Sequence, residues 1–182
     1  RPRVKLKWLV EHYAPHLKAT GQGNIWVFKS HCKMGTDGVA LIPALAEMRE
    51  FVSIARDLQP TSMFKGQIPE VDWFGPFCPC MEVPNHPQGG VQKVYLDRVR
   101  ENAVTEIAGE ADDFCVAAGE AQVRAYYKDD RSVLERIRFL TDCTSAIFPD
   151  DPAAGKTSNA DRRKAMQAAG VRVIKHDEPF KA

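Results

Sequence analysis

Neither charge is in surplus in this sequence: 25 lysines and arginines face 24 aspartates and glutamates, a formal net charge of +1. That balance removes any argument from overall charge for a nucleic-acid partner. No run of about eighteen apolar residues occurs, so no transmembrane span and no membrane partner are expected. Internal repeats and low-complexity segments are also missing, so no repeat architecture is expected. The five cysteines (Cys32, Cys78, Cys80, Cys115, Cys143) are odd in number and follow no regular framework. A disulfide-stapled secreted fold is therefore not expected. A reducing compartment is, with the cytoplasm as the expected location. The chain shows no signal peptide and opens Arg-Pro-Arg rather than on Met, so it is expected to be processed or to be a piece of something longer.

What is present fits one domain: 182 residues can bury a real core. Residues 4–18 mix apolar and basic positions and predict an amphipathic helix, interrupted or ended near Pro15. Ile25–Phe28 predicts a strand, followed by a polar loop, His31 to Gly38. From Val39 to Ala55 the apolar residues Leu41, Leu45, Met48, Val52 and Ala55 recur at helical spacing, predicting a helix with one packed face. Ser62-Met-Phe64 predicts a short strand that delivers Lys65. Residues 67–90 hold five prolines and three glycines; so long an irregular stretch predicts a functional loop or lid, with Trp73, Phe74 and Phe77 either shaping an apolar pocket or packing on the core. Beyond it the pattern alternates: helix 91–101, strand 103–109, helix 112–127, strand 136–142, helix 160–169, strand 171–175. Short apolar strands between amphipathic helices predict an α/β fold with a parallel sheet.

Cys115 is the leading candidate for chemistry. Val104 to Ala108 reads as a buried strand that breaks at Gly109, and a helix begins at Asp112 or Asp113. Cys115 thus falls in the first turn of a helix just beyond a strand's carboxyl end, the edge where open α/β sheets bind ligands. Such a helix start favours a thiolate and can hold a developing oxyanion. Lys65 ends a predicted strand and so reaches the same edge, where its ammonium would favour the thiolate and pass a proton to a leaving amine. Each also has a plain reading, as a buried structural cysteine and a surface lysine. His31 could ligate a metal or be a satisfied polar residue. Asp112 and Asp113 read as helix caps, and Asp142 and Cys143 end a strand on the same edge. Cys78-Pro-Cys80 reads as a plain loop, since no second Cys/His pair stands at zinc spacing from it. The charged pairs around 97–102 and 124–138 read as solvated helix faces.

Gly109 to Ala118 resembles the nucleophile motif of the isochorismatase-like cysteine hydrolases, closest to the larger nicotinamidase-like amidohydrolases. Thr141-Asp-Cys-Thr-Ser-Ala146, Phe64-Lys-Gly66, His31-Cys-Lys-Met-Gly-Thr-Asp-Gly38 and His86-Pro-Gln-Gly-Gly90 resemble further segments of that family, in its order, over roughly residues 25–178. The resemblance implies a Rossmann-like three-layer αβα fold with a mostly parallel sheet in the order 3-2-1-4-5-6. It implies a hydrolase that opens a small amide such as nicotinamide through an acyl-enzyme on Cys115. Lys65 would be the charged triad member, and the N–H groups of Ala111 and Cys115 the oxyanion hole. A cis peptide is implied within Gly109–Ala111. His31 would help bind a divalent metal (zinc, iron or manganese); no organic cofactor is implied, and a homo-oligomer is.

The departures lie upstream. The family's catalytic aspartate ends its first strand, and an Asp-x-His metal pair follows its second; nothing before residue 25 resembles either. Phe28-Lys-Ser also stands where relatives often carry Trp-Pro. The expectation is that the N-terminal strands are missing from 1–182, which would form one domain incomplete at its N-terminus, completed by a longer polypeptide or a partner. A single metal ligand is too few to hold zinc. The alternative is a catalytically inactive relative that keeps the scaffold for binding or assembly. Isochorismatase-type vinyl-ether hydrolysis uses the same scaffold without the cysteine, so Cys115 argues against it.

Overall fold

Two short apolar runs, centred on Ile107 and on Ile137 to Leu140, are flanked by residues that end strands, and they set the sheet. In the computed structural model the described residues are 6–22, 25, 27, 29–148 and 158–179. The strands are β1 (Thr105–Glu110), β2 (Ile137–Ser145) and β3 (Arg172–Ile174), parallel throughout and ordered β1-β2-β3. Thr105 lies opposite Ile137 and Ile107 opposite Phe139; Arg138 lies opposite Arg172 and Leu140 opposite Ile174. Ile137 to Leu140 are all buried, as a parallel strand with neighbours on both sides requires. The chain is α/β with a parallel sheet, as the alternation of strands and helices in its second half predicts.

The helices, in chain order, are α1 (Leu6–Trp8, the π-helical Leu9–Tyr13, and Ala14–Ala19), α2 (Pro43–Arg56), α3 (Lys93–Glu101), α4 (the π-helical turn Asp112–Val116 running into Ala117–Tyr126), α5 (Arg131–Leu134) and α6 (Asn159–Ala169). Leu96 and Val99 of α3, Val116 and Val123 of α4, Val133 and Leu134 of α5, Met166 of α6, and Tyr127 join Ile137 and Phe139 in the main core. At ~1.5–3 kcal/mol per buried aliphatic side chain, this cluster dominates the stability of the sheet. Ser158 caps α6: its hydroxyl accepts from the Asp161 N–H at 3.1 Å.

A second core joins α1 to the proline-rich stretch. Tyr13 and Leu17 pack with Ile68, Val71, Trp73 and Cys80. The Tyr13 hydroxyl donates to Asp72 Oδ2 (2.8 Å) and accepts from the Asp72 N–H (2.7 Å). Cys80 O accepts from the Gln22 side chain and lies 3.0 Å from His16 Nε2. The helix does not end at Pro15: α1 stays helical to Ala19, and the interruption is the π turn Leu9–Tyr13 just before the ring. Nor is 67–90 an open lid. Trp73 is buried, Phe77 packs on the main core, and Gln122 of α4 accepts from the Phe77 N–H and donates to Cys78 O. Its aromatics pack on the core.

The chain divides into two compact units, one of residues 1–24 with 65–182 and the other of 25–64. Within 25–64, α2 begins later than the periodicity predicts, because Pro43 takes its first turn and holds Ile42 extended at ψ 145°. Its apolar face is not packed within this unit: Leu45, Met48, Phe51, Val52 and Ile54 are all exposed. The predicted strand Ile25–Phe28 falls partly outside the described residues, at Trp26 and Phe28; Ile25 and Val27 belong to no strand. Ser62 to Phe64 are also not a strand, since β1, the edge of the described sheet, pairs only with β2. No helix among the described residues is long and apolar enough to cross a membrane.

Candidate active site

Gly109 makes the turn from β1 possible. Its φ is +119°, a conformation that side-chain-bearing residues rarely adopt, and the β1–β2 register shifts at this point. The Glu110–Ala111 peptide bond is cis, within the three residues where the resemblance implies one. Ala111 is buried, and its carbonyl accepts from the N–H groups of Phe114 (3.0 Å) and Val116 (3.1 Å), winding the first turn of α4 around Cys115.

The thiol of Cys115 is half-buried and takes a hydrogen bond from Lys65 Nζ at 2.8 Å. The same ammonium donates to the carbonyls of Trp73 (2.9 Å) and Phe74 (3.0 Å). Three acceptors match its three protons. Residues 50 positions apart in the sequence thus meet at the carboxyl end of β1, although no strand delivers Lys65. The packed 65–74 stretch positions it instead.

Two carboxylates fix the turn from behind, neither as the cap that the sequence predicts. Asp112 is 2% exposed and pairs with Arg162 and Arg163 of α6, the latter at 3.0 Å. Burial pulls the Arg162 guanidinium below its ordinary range, and Asp112 opposes that shift. Asp113 accepts from the N–H groups of Ile147 (3.0 Å) and Phe148 (2.9 Å), tying the turn to the chain leaving β2. Phe114 packs between the rings of Phe74 and Phe148. The charged side chains further along are not all solvated: Glu120 is 1% exposed beneath Arg124, and Arg138 is buried against Glu106.

The other cysteines differ in character. Burial raises the Cys78 thiol, and raises Cys80 to about 11, so both stay protonated at neutral pH. His31 lies in the 25–64 unit, its Nδ1 2.6 Å from Lys29 O. Among the described residues it belongs to no group of three side chains able to ligate a metal. One imidazole does not hold a divalent ion, so the described residues do not fit the metal that the resemblance implies at His31. A residue that sequence reasoning missed is His176. Its Nδ1 lies 2.7 Å from Asp142 Oδ2 and its N–H donates to Asp142 Oδ1. Only the β2–β3 register brings the two together, and no local pattern signals it.

No protein-family model and no curated protein matches the chain. Among solved structures, the yeast nicotinamidase bound to the inhibitor nicotinaldehyde superposes with a TM-score of 0.51 at 17% identity, over 84% of this chain and 59% of that one. The fold is isochorismatase-like. An Acinetobacter nicotinamidase/pyrazinamidase aligns at TM-score 0.47 and 18% identity, over 82% of this chain and 59% of its own. The chain therefore spans less than two thirds of the length of these enzymes. On the isochorismatase-like fold, the carboxyl edge of the parallel sheet is where Cys115 and Lys65 meet.

Proposed function

We propose that residues 1–182 belong to one cysteine-dependent amidohydrolase domain acting on a small amide, with nicotinamide the first substrate to try. The observation that carries this reading is the 2.8 Å contact between Lys65 Nζ and Cys115 Sγ at the start of α4. A cation against a thiol stabilises the thiolate, which is the nucleophile.

In the proposed reaction the thiolate attacks the amide carbonyl carbon. Negative charge moves to the carbonyl oxygen, which the N–H groups of Ala111 and Cys115 receive. As the intermediate collapses, the C–N bond breaks and Lys65 gives a proton to the departing nitrogen, releasing ammonia and leaving a thioester. Neutral Lys65 then takes a proton from water as the water oxygen attacks the thioester. The C–S bond breaks, the acid leaves, and the thiolate and ammonium are restored. The aspartate that the resemblance implies beside this lysine has no counterpart upstream of residue 25. A segment adding strands at the edge of β1, or a partner chain, would supply it.

Intact-protein mass spectrometry after iodoacetamide treatment at neutral pH tests the nucleophile. The expected outcome is rapid addition of one label, absent in Cys115→Ser, with nicotinamide hydrolysis lost in the same variant. Slow labelling spread over several cysteines would overturn the reading and leave an inactive relative that keeps the scaffold.

A further inference from the structure

β1 and β2 share the rungs Ile107–Phe139 and Gly109–Thr144. Between them β1 has one residue, Ala108, and β2 has the four from Leu140 to Cys143. Adjacent residues on a flat strand point to opposite faces, whereas a bulged strand re-aims them. Here the bulge brings Asp142 and Cys143 together, with Sγ 3.8 Å from Asp142 Oδ1. The segment beyond β3 adds His176, held by its Asp142 contacts and by a turn in which the Lys175 N–H donates to Glu178 Oε1 at 3.0 Å. One oxygen, one sulfur and one nitrogen donor, from Asp142, Cys143 and His176, lie within 4.8 Å of one another. They form the one such group of three among the described residues.

We propose that Asp142, Cys143 and His176 form a binding site for a borderline-soft divalent cation, zinc above all, with water in the fourth position. Tetrahedral zinc with bonds of ~2.0–2.3 Å sets its donor atoms roughly 3.3–3.8 Å apart, within the span of this group. A hard ion such as magnesium is excluded by the donor set, since thiolate and imidazole suit zinc and oxygen ligands suit magnesium. An Asp142–His176 ion pair alone would account for two of the residues and leave the placement of Cys143 unexplained. The carboxylates of Glu106, paired with Arg138, and Asp177 act on Cys143 and His176 respectively, giving the site a negative surround. On binding, the thiol proton leaves to solvent. The imidazole presents Nδ1 to the metal and carries its proton on Nε2. The ligands are distinct from Cys115 and Lys65, and the site stands whether or not the amidohydrolase reading does.

The test is a cobalt(II) titration of the reduced, metal-free chain, followed by zinc competition. One equivalent of cobalt should bind, giving the near-ultraviolet band of a cobalt–thiolate bond and the visible bands of tetrahedral cobalt, and zinc should displace it. Cys143→Ser should abolish the near-ultraviolet band. His176→Ala and Asp142→Asn should each weaken binding by about 100-fold or more, as befits ligands rather than their supports. Cys115→Ser should bind as the unaltered chain does. All three proposed ligands are exposed, so circular dichroism of the variants should match the parent. Absence of cobalt uptake would overturn the proposal, as would uptake that survives Cys143→Ser and disappears in Cys115→Ser or in a Cys78→Ser, Cys80→Ser double variant.

Discussion

Lys65 directs its three protons at three acceptors, and two of these are main-chain carbonyls that fix where the third proton points. Cys80 shows the opposite treatment of a thiol. Burial raises it from an ordinary 9.0 to about 11, so the folded chain keeps a proton that the unfolded chain has lost between those values. Its stabilising contribution is complete below pH 9 and disappears as pH rises through 11. Urea unfolding at pH 8 and 10.5 should therefore show a loss of about 2 kcal/mol from this residue. Cys80→Ala should be less stable at pH 8 and should lose less between the two; an unchanged slope would exclude the mechanism. Cys115 and Lys65 are legible as residues because a strand–Gly–helix pattern marks one and a resemblance marks the other. His176 carries no local mark: it matters only through the register of β3 on β2, which is a property of the fold.

At the scale of elements, α4 starts where it does because α6 holds it. Asp112 is nearly inaccessible, and one of its two arginines, Arg162, is 11% exposed. Removing the carboxylate charge takes from the largely buried Arg162 guanidinium its direct ion-pair partner, so Asp112→Asn should cost about 3 kcal/mol in urea unfolding. Glu135→Gln, which breaks the exposed pair with Arg131, should change stability by less than about 1 kcal/mol. Equal effects would show that burial of the first pair does not matter. The sequence places β1, α4, β2, α6 and β3 within a few residues, because a buried parallel strand and an amphipathic helix each carry their own periodicity. It misplaces a strand at Ser62 to Phe64, because a strand also needs a partner, and apolar composition does not reveal whether one stands alongside.

The whole molecule is unevenly built. The unit carrying Cys115 contains both cores, while no described residue of the 25–64 unit is buried. Periodicity predicts a packed face on α2, and the helix is there, but Leu45, Met48 and Val52 of that face are exposed, because periodicity carries no information about what a face rests on. Amides of α2 should exchange with deuterium at least about a thousandfold faster than those of Ile137 to Leu140, measured by exchange mass spectrometry on the full chain. Comparable protection in the two would mean that α2 is covered in solution.

The bulge in β2 has a consequence for descent. Pairing resumes beyond it, with Gly109 opposite Thr144 and Glu110 opposite Ser145, while Ile137 and Phe139 stay anchored in the core before it. Leu140 is buried and lies opposite Ile174 of β3, so the variable segment between the two fixed points is the three residues from Thr141 to Cys143. A lineage can lengthen, shorten or rewrite them without shifting a core side chain by one register position, which a flat strand forbids. Donor groups can therefore be gained or lost on this part of the sheet by small genetic steps, while the strand that supports them keeps its place.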